Sequence, residues 1–310
     1  MRPGDLRDTS VLERIVRGCD HVVHTAALLD VGADPAMLSQ VNTDVVGNLF
    51  DAAEAAGVKR FVHVSTAMLY AEGSRSPLTE DAPVAPRGAH GMSKHGAEAF
   101  LRGRSRHRSP AWTILRAAPL YGRRGKHFAA SLLAVGPIVR LASPLLPRVR
   151  GGAVTTFVHA EDVARALLFS LEKDATAYET FNVSDGDPMA LGERLTETFH
   201  AYGLRTLPLG RSPTQLLEWA GHAFRAPGAY QGADASALTA WRLVVLRHRL
   251  KPALRPHIDR EALTLLYDDL VVDAGKLCAL GWSPRFPRFA EGWREVLRWY
   301  QAERWVPRYA

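Results

Sequence analysis

Cysteine and lysine are scarce in this chain of 310 residues. Its 2 cysteines, Cys19 and Cys278, lie far apart in sequence and form no Cys-x-x-Cys or Cys/His spacing. The sequence therefore predicts reduced thiols and no structural zinc or other metal site. Only 6 of the 39 basic residues are lysines, and the arginines are interspersed with acids rather than gathered in one block. The net charge of +7 is therefore expected on a solvated surface, and no nucleic-acid partner is expected.

Long apolar runs are also missing. A membrane-spanning helix needs about 20 consecutive apolar residues, and the chain has neither such a run nor an N-terminal segment that resembles a signal peptide. We therefore expect a soluble, cytoplasmic protein without an integral membrane segment. Hydrophobic residues at 47% and charged residues at 23% are ordinary globular values, which excludes disorder as the overall state.

Strand and helix patterns alternate through the first half of the chain. The apolar run at residues 21–27 predicts a strand buried on both faces of a parallel sheet. Apolar periodicity predicts a helix from about residue 41 to a terminating Gly57, and a second strand follows at residues 58–66. Such a strand, helix, strand crossover places functional residues at the carboxyl ends of strands, where Thr66 is expected.

A third pattern carries proton chemistry. The run Ala89-His90-Gly91-Met92-Ser93-Lys94 begins a helical pattern, and positions four residues apart share one face of a helix. The imidazole of His90 is therefore expected beside the ammonium of Lys94. Histidine moves protons near neutral pH, and a neighbouring ammonium favours the neutral imidazole.

These patterns, in this order, resemble the extended short-chain dehydrogenase/reductase family, also known as the NAD-dependent epimerase/dehydratase family. The matching blocks are Ser65-Thr66, Glu80-Asp81-Ala82-Pro83, the helix with Lys94, Phe157–Ala164, Phe181–Ser184 and Leu280–Pro284. They cover most of residues 4–186 and 271–300. The spacing is closest to bacterial relatives of 3β-hydroxysteroid dehydrogenases and dihydroflavonol reductases.

The resemblance implies the fold and the domains. It implies an α/β fold, a reduced Rossmann-like doubly wound parallel sheet with a smaller, mostly helical C-terminal substrate region. We expect a Rossmann-like domain at residues 1–186 and a substrate-binding region at residues 187–310. The basic amphipathic segment at residues 237–250 is expected to act as a lid helix over an apolar pocket, and peripheral membrane contact is the alternative.

The resemblance also implies the catalytic residues. Thr66 matches the family's Ser/Thr hydroxyl, which orients the substrate carbonyl, and Lys94 matches the lysine that tunes the site and binds the nicotinamide ribose. His90 stands where the family has its catalytic tyrosine. For Thr66 the alternative is a threonine that merely ends a strand, and for His90 it is a relic without catalytic function.

Five further positions are implied for the cofactor, which would be NAD or NADP. Asp5 and Leu6 match residues at the adenine ring, Ala26 and Ala27 line the pyrophosphate and ribose, and Pro119 belongs to the turn that faces the nicotinamide. Asp5 could instead belong to an Asp-rich turn that caps the following helix. His24 is expected to be a packed strand histidine rather than a ligand.

The chain departs from the family at its start. Residues 1–8 resemble the end of the third strand, so the first strand with its glycine-rich turn is missing, and nothing elsewhere replaces its phosphate-binding amides. The run at residues 21–27 would then have an unpaired edge, which predicts association. A start codon assigned too late, a partner chain that completes the sheet, and a reduced fold without cofactor are the three explanations.

The predicted function follows from these residues. It is NAD(P)-dependent oxidoreduction of a carbonyl or secondary alcohol on a bulky apolar small molecule, by an enzyme expected to form a homo-oligomer. The alternatives are a cofactor-independent isomerase, cyclase or dehydratase that uses His90 and Thr66 for proton transfer, and a non-catalytic scaffold.

Overall fold

The computed structural model describes residues 4–29, 34–86, 88–105, 110–126, 128–208, 223, 228–256 and 265–309. Helices and strands alternate along most of this length. The helices are α1 (Thr9–Val16), α2 (Pro35–Ser39), α3 (Val45–Ala55), α4 (Ala89–Arg102), α5 (Phe128–Ala142), α6 (Ala160–Glu172), α7 (Leu191–Ala201), α8 (Ala229–His248), α9 (Gly275–Cys278) and α10 (Phe289–Ala302). The strands are β1 (His21–His24), β2 (Arg60–Thr66), β3 (Ala111–Ala117), β4 (Leu120–Tyr121), β5 (Leu146–Pro147), β6 (Val154–Thr155), β7 (Val158–His159), β8 (Glu179–Val183), β9 (Met189–Ala190) and β10 (Thr206–Leu207).

The described residues form two compact units, each made of several chain segments. The first contains residues 1–118, 162–184 and 272–284, and the second contains residues 119–161, 185–271 and 285–310. A compact unit is not by itself a domain that folds alone. The domain division at residue 186 therefore stays a prediction.

A parallel sheet is the centre of the first unit, in the strand order β1-β2-β3-β8. His24 lies opposite His63, and Thr66 lies opposite Ala117. All the pairings are parallel, so the carboxyl ends of the strands meet at one edge. This confirms the predicted α/β fold with a parallel sheet.

Helices cover both faces of this sheet. On one face, Phe61 of β2 packs edge-to-face on Phe50 of α3, with ring centroids 5.3 Å apart. The buried cluster there also takes residues from α1, α4 and β3: Leu12, Val16, Ala97, Leu101, Trp112 and Ile114. On the other face, the Arg60 guanidinium donates a hydrogen bond to the Ser170 carbonyl of α6. Because side chains alternate along a strand, Phe61, His63 and Ser65 share the face that α3 and α4 cover.

Two local predictions were wrong. The strand at residues 21–27 is shorter than expected and is not buried on both faces. It ends at His24, which is 3% exposed, whereas Val23 is 40% exposed, and among the described residues β1 pairs with β2 alone. An edge strand lacks the second neighbour that would bury it. The helix from residue 41 is also not a single α-helix, because a π-helical turn, Gln40–Asp44, precedes α3. Gly57 does end this helix, with φ +73°, as predicted.

Aromatic side chains dominate the core of the second unit, in which α5, α7, α8 and α10 are the long helices. Its buried cluster includes Tyr121, Phe157, Phe199, Trp241 and Trp293. The predicted segment at residues 237–250 lies mostly within α8, with Leu246 74% exposed. Its role as a lid stays a prediction. No helix among the described residues has both the length and the apolar character that crossing a bilayer requires.

Candidate active site

Thr66 is the last residue of β2, at the carboxyl edge of the sheet. Its Oγ1 accepts a hydrogen bond from the Met68 amide at 3.1 Å and so starts the short 3₁₀ turn Ala67–Leu69. This bond uses a lone pair of the oxygen and leaves the hydroxyl hydrogen for another acceptor. The half-buried hydroxyl therefore caps a turn and can still donate.

Helix α4 begins beside this strand end. Gly91 packs closely against the segment that follows the strand: a Cβ placed there would be 3.0 Å from Pro86 Cβ and 3.7 Å from the Met68 carbonyl oxygen. His90, half-buried in the first helical turn, precedes Lys94 by one turn. The structure thus brings Thr66, His90 and Lys94 to the same edge of the sheet.

Asn42 fixes the start of α4, and sequence reasoning missed it. Its fully buried amide donates to Ser93 Oγ at 3.0 Å, and the Ser93 hydroxyl donates to the His90 carbonyl at 2.8 Å. The Asn42 side chain also accepts a hydrogen bond from the backbone N–H of Leu28 at 2.7 Å and donates one to the Leu28 carbonyl at 3.0 Å. One side chain therefore joins the loop after β1 to the helix. The sequence carries no signal for this role, because the π-helical turn around Asn42, a feature frequent at functional sites, is visible only in the structure.

Lys94 is only 4% exposed. Its Nζ donates a hydrogen bond to the Val64 carbonyl at 2.8 Å. Desolvation lowers the pKa of Lys94 from its usual 10.5 to about 8, and the charge of Glu98 opposes this effect. The amine can therefore gain and lose a proton near neutral pH.

Glu98 is fully buried one turn after Lys94, and its charge is compensated. Its carboxylate accepts hydrogen bonds from Arg116 at 2.9 Å and from Arg102 at 2.6 Å. Arg116 is itself 2% exposed, so two guanidinium groups hold one buried carboxylate. Glu98 is consequently a weak counter-ion for Lys94.

The predicted adenine-site residues lie at the start of the described chain. Arg7 holds the carboxylate of Asp5 through Nη2 at 2.5 Å and lowers the pKa of Asp5 to about 2. Asp8, not Asp5, caps α1 by accepting from the Ser10 amide at 2.9 Å. Leu6 packs against the core cluster of the first unit.

The other predicted cofactor positions belong to two different units. Ala26 is exposed and Ala27 is half-buried in the loop after β1. Pro119 belongs to the second unit, where its carbonyl accepts from the Val158 amide at 3.1 Å. The structure therefore groups Ala26 and Ala27 with the unit that contains Lys94, but not Pro119.

A cavity of about 420 Å³ lies elsewhere in the first unit. Trp112, Tyr178, Arg102 and Lys276 are among the residues that line it, and none of the three predicted catalytic residues is. It is therefore not part of the candidate active site.

Residues 1–184 match the model of the NAD dependent epimerase/dehydratase family. The chain is 31% identical to the low-salt glycan biosynthesis protein Agl12 of Haloferax volcanii, over 64% of this chain and 65% of that protein. It is 30% identical to a UDP-glucose 4-epimerase of Corynebacterium glutamicum, over 59% of this chain and 61% of that protein. The chain thus spans less than two thirds of the length of these two relatives.

The fold is also that of solved structures. The dTDP-glucose 4,6-dehydratase DesIV of Streptomyces venezuelae, solved with NAD and TYD bound, superposes with a TM-score of 0.67 at 23% identity. The superposition covers 98% of this chain and 80% of that protein. At this identity the similarity shows a shared Rossmann-type fold.

Proposed function

Because the chain belongs to the NAD dependent epimerase/dehydratase family, we propose that it catalyses nicotinamide-dependent oxidoreduction at a carbonyl or secondary alcohol. The observation that carries this proposal is Lys94, a buried amine with a pKa of about 8, next to the carboxyl end of β2. Burying an amine without a full counter-charge destabilises a fold, and such groups cluster at functional sites.

Each of the three residues has a chemical role in this proposal. Thr66 donates its hydroxyl hydrogen to the substrate oxygen and so stabilises the charge that develops there. His90 exchanges the substrate proton, and Lys94 adjusts the proton affinity of the site. A bound nicotinamide supplies the hydride acceptor or donor.

The described residues fit one part of that cofactor. Lys94 would bind the ribose next to the nicotinamide, and Ala26 and Ala27 would line the cofactor. Asp5 would reach the adenine side only in competition with Arg7, which already binds its carboxylate. No two glycines of this sequence are separated by a single residue, so the usual glycine amides for the pyrophosphate are not supplied by these residues.

The sequence and the names of the relatives point to different substrate classes. The bulky apolar substrate stays a prediction from sequence. The names of the relatives, which include UDP-glucose 4-epimerase and dTDP-glucose 4,6-dehydratase, favour a nucleotide sugar. NAD is favoured over NADP because DesIV was solved with NAD.

Calorimetric titration of the 310-residue chain with NADH and NADPH tests the cofactor. We expect NADH to bind with a Kd in the micromolar range, and Lys94→Met to weaken binding at least about tenfold, which corresponds to about 1.4 kcal/mol. The matched control is Lys59→Met, since Lys59 is an exposed lysine paired with Asp20. A folded sample that binds neither dinucleotide would contradict the proposal and favour cofactor-free proton transfer by His90 and Thr66.

Replacement of His90 by tyrosine separates the two chemistries. Imidazole is shorter than a phenol, and misplacement by about 1 Å can lower a rate about a hundredfold. We therefore expect His90→Tyr to oxidise NADH faster than the unchanged protein when both are given the same carbonyl substrate. A loss of activity that needs no nicotinamide would instead assign His90 to cofactor-free catalysis.

A further inference from the structure

Two buried histidines touch each other next to Lys94. His24 ends β1, and the parallel register places it opposite His63 of β2. Their Nδ1 atoms are 3.0 Å apart, and the rings stack with centroids 5.2 Å apart and planes 18° apart. His24 is 3% exposed and His63 is fully buried.

The short distance limits how many hydrogens the two rings carry. One Nδ1 must donate its hydrogen and the other must accept it, so at least one ring is neutral. When both rings are neutral, one Nε2 carries a hydrogen and the other carries a lone pair. Neither Nε2 has a hydrogen-bond partner among the described residues, and the same is true of the buried Ser65 Oγ. Buried polar atoms without partners destabilise a fold and point to a functional reason.

The pair lies on the sheet face that α4 covers. His63 and Ser65 alternate with Val64 along β2, and Phe61 of the same face packs in the cluster that includes α4 residues. Lys94 reaches this strand from α4 and bonds the Val64 carbonyl. Lys94 therefore approaches β2 from the side on which the histidine pair lies.

Electrostatics couples the three groups. Burial lowers the pKa of His24 to about 4, and the Lys94 charge lowers it as well. Burial, Lys94 and His24, in this order, hold the pKa of His63 well below its usual value. Glu98 of α4 acts on the pKa of Lys94, and the titratable rings of His24 and His63 face Lys94 from β1 and β2. Arg116 of β3 and Arg102 of α4 bind the Glu98 carboxylate.

We propose that His24 and His63 stay neutral as one hydrogen-bonded unit beside Lys94, so that the ammonium carries the charge on this side of β2. While Lys94 is protonated, its charge disfavours protonation of the pair, because two positive charges would then be buried close together. The two histidines act through Lys94 rather than on a substrate, and the inference rests on the proposed role of Lys94. From about pH 4 to about pH 8 the proton stays on Lys94, so the charge of the site is constant over this range.

Coupling between two groups is reciprocal, so the proposal can be tested from both sides. The first test is NMR of the protein labelled in its histidine rings, with His24→Asn and His63→Asn used for assignment. Removal of the lysine charge by Lys94→Met should raise the pKa of His24 by about 1 or more. Lys59→Met, the exposed lysine control, should leave this pKa unchanged. An unchanged pKa in Lys94→Met would overturn the proposal.

The second test observes Lys94 itself. The chain has 6 lysines, so the Cε resonances of a lysine-labelled sample can be assigned by substitution. His63→Phe should lower the pKa of Lys94 by about 0.5 or more, because a neutral polar partner is lost. His63→Gln should keep it near the value of the unchanged protein. If His63→Phe does not fold, His24→Leu with His24→Gln gives the same comparison.

A purely structural role of the histidines predicts a different result. Both phenylalanine and glutamine would then change the free energy of unfolding and leave the Lys94 pKa where it is, which would contradict the proposal. Neither NMR measurement needs a dinucleotide or turnover. A protein that does not bind NADH would therefore contradict the proposed function and would leave the inference about the histidine pair to be decided by the two NMR measurements.

Discussion

Lys94 and Glu98 lie one turn apart on α4 and are both buried, but the protein compensates their charges very differently. Glu98 binds two guanidinium groups, Arg116 and Arg102. Lys94 bonds one backbone carbonyl and lies near neutral histidines. The paired carboxylate joins α4 to β3, whereas the amine keeps a pKa of about 8. One helix thus carries a structural charge and a chemically adjustable charge on the same side.

The largest expected effect comes from removing the charge of Glu98, which two arginines compensate. Glu98→Gln should lower the free energy of unfolding by about 3–5 kcal/mol, because it leaves the buried Arg116 charge without a partner. Denaturant unfolding monitored by circular dichroism measures this. The control is Glu13→Gln in α1, an exposed position, where a change within about 0.5 kcal/mol is expected. Equal effects at the two positions would show that Glu98 is not the structural charge.

The lowered pKa of Lys94 should appear in the pH dependence of the free energy of unfolding. The pKa of Lys94 falls from 10.5 to about 8 on folding, so between these values the unfolded chain binds more protons than the folded chain. Stability therefore rises with pH across this window, by about 3 kcal/mol for this group. Below about pH 8 the destabilisation is fully present.

Lys94→Met isolates that contribution. Denaturant unfolding at a series of pH values should show the rise in the unchanged protein and a flatter profile in Lys94→Met. Other groups that titrate in this range are present in both proteins and cancel in the difference. Parallel profiles would mean that Lys94 is not desolvated in solution.

Two buried serines near Lys94 give the smallest effects, of opposite sign. Ser93 bonds both Asn42 and the His90 carbonyl, so Ser93→Ala should destabilise the protein by about 1–3 kcal/mol. Ser65 Oγ has no partner among the described residues, so Ser65→Ala should be neutral or stabilising by up to about 1 kcal/mol. Thermal unfolding of the two variants side by side measures both. A similar loss in both would mean that a water molecule or another group satisfies Ser65.

The sequence was informative wherever a local pattern carried the information. Apolar periodicity located α4, and the alternation of strand and helix patterns predicted the parallel sheet that places Thr66 at its carboxyl edge. The family resemblance, which the match over residues 1–184 confirms, rested on blocks that could be read directly. The roles assigned to Thr66, His90 and Lys94 stay predictions, although the structure places all three at one edge.

The sequence failed where the outcome depended on neighbours. The apolar run at residues 21–27 has the composition of a strand buried on both faces, but β1 is short and one of its faces is exposed; its place at the edge of the described sheet was implied only by the family resemblance. Asn42 looked like an ordinary helical asparagine until a π-helical turn aimed its amide at Leu28 and Ser93. Composition does not report strand order or the width of a helical turn.

The sequence by itself determined the α/β alternation, the family and the helical spacing of His90 and Lys94, because each depends on residues close together in the chain. Only the tertiary structure decided the charge of the site. It paired His24 with His63 across 39 positions and Glu98 with Arg116 across 18, and it removed water from Lys94. Hydrogen-bond partners and desolvation set the pKa of a buried group, and both arise from contacts between distant segments.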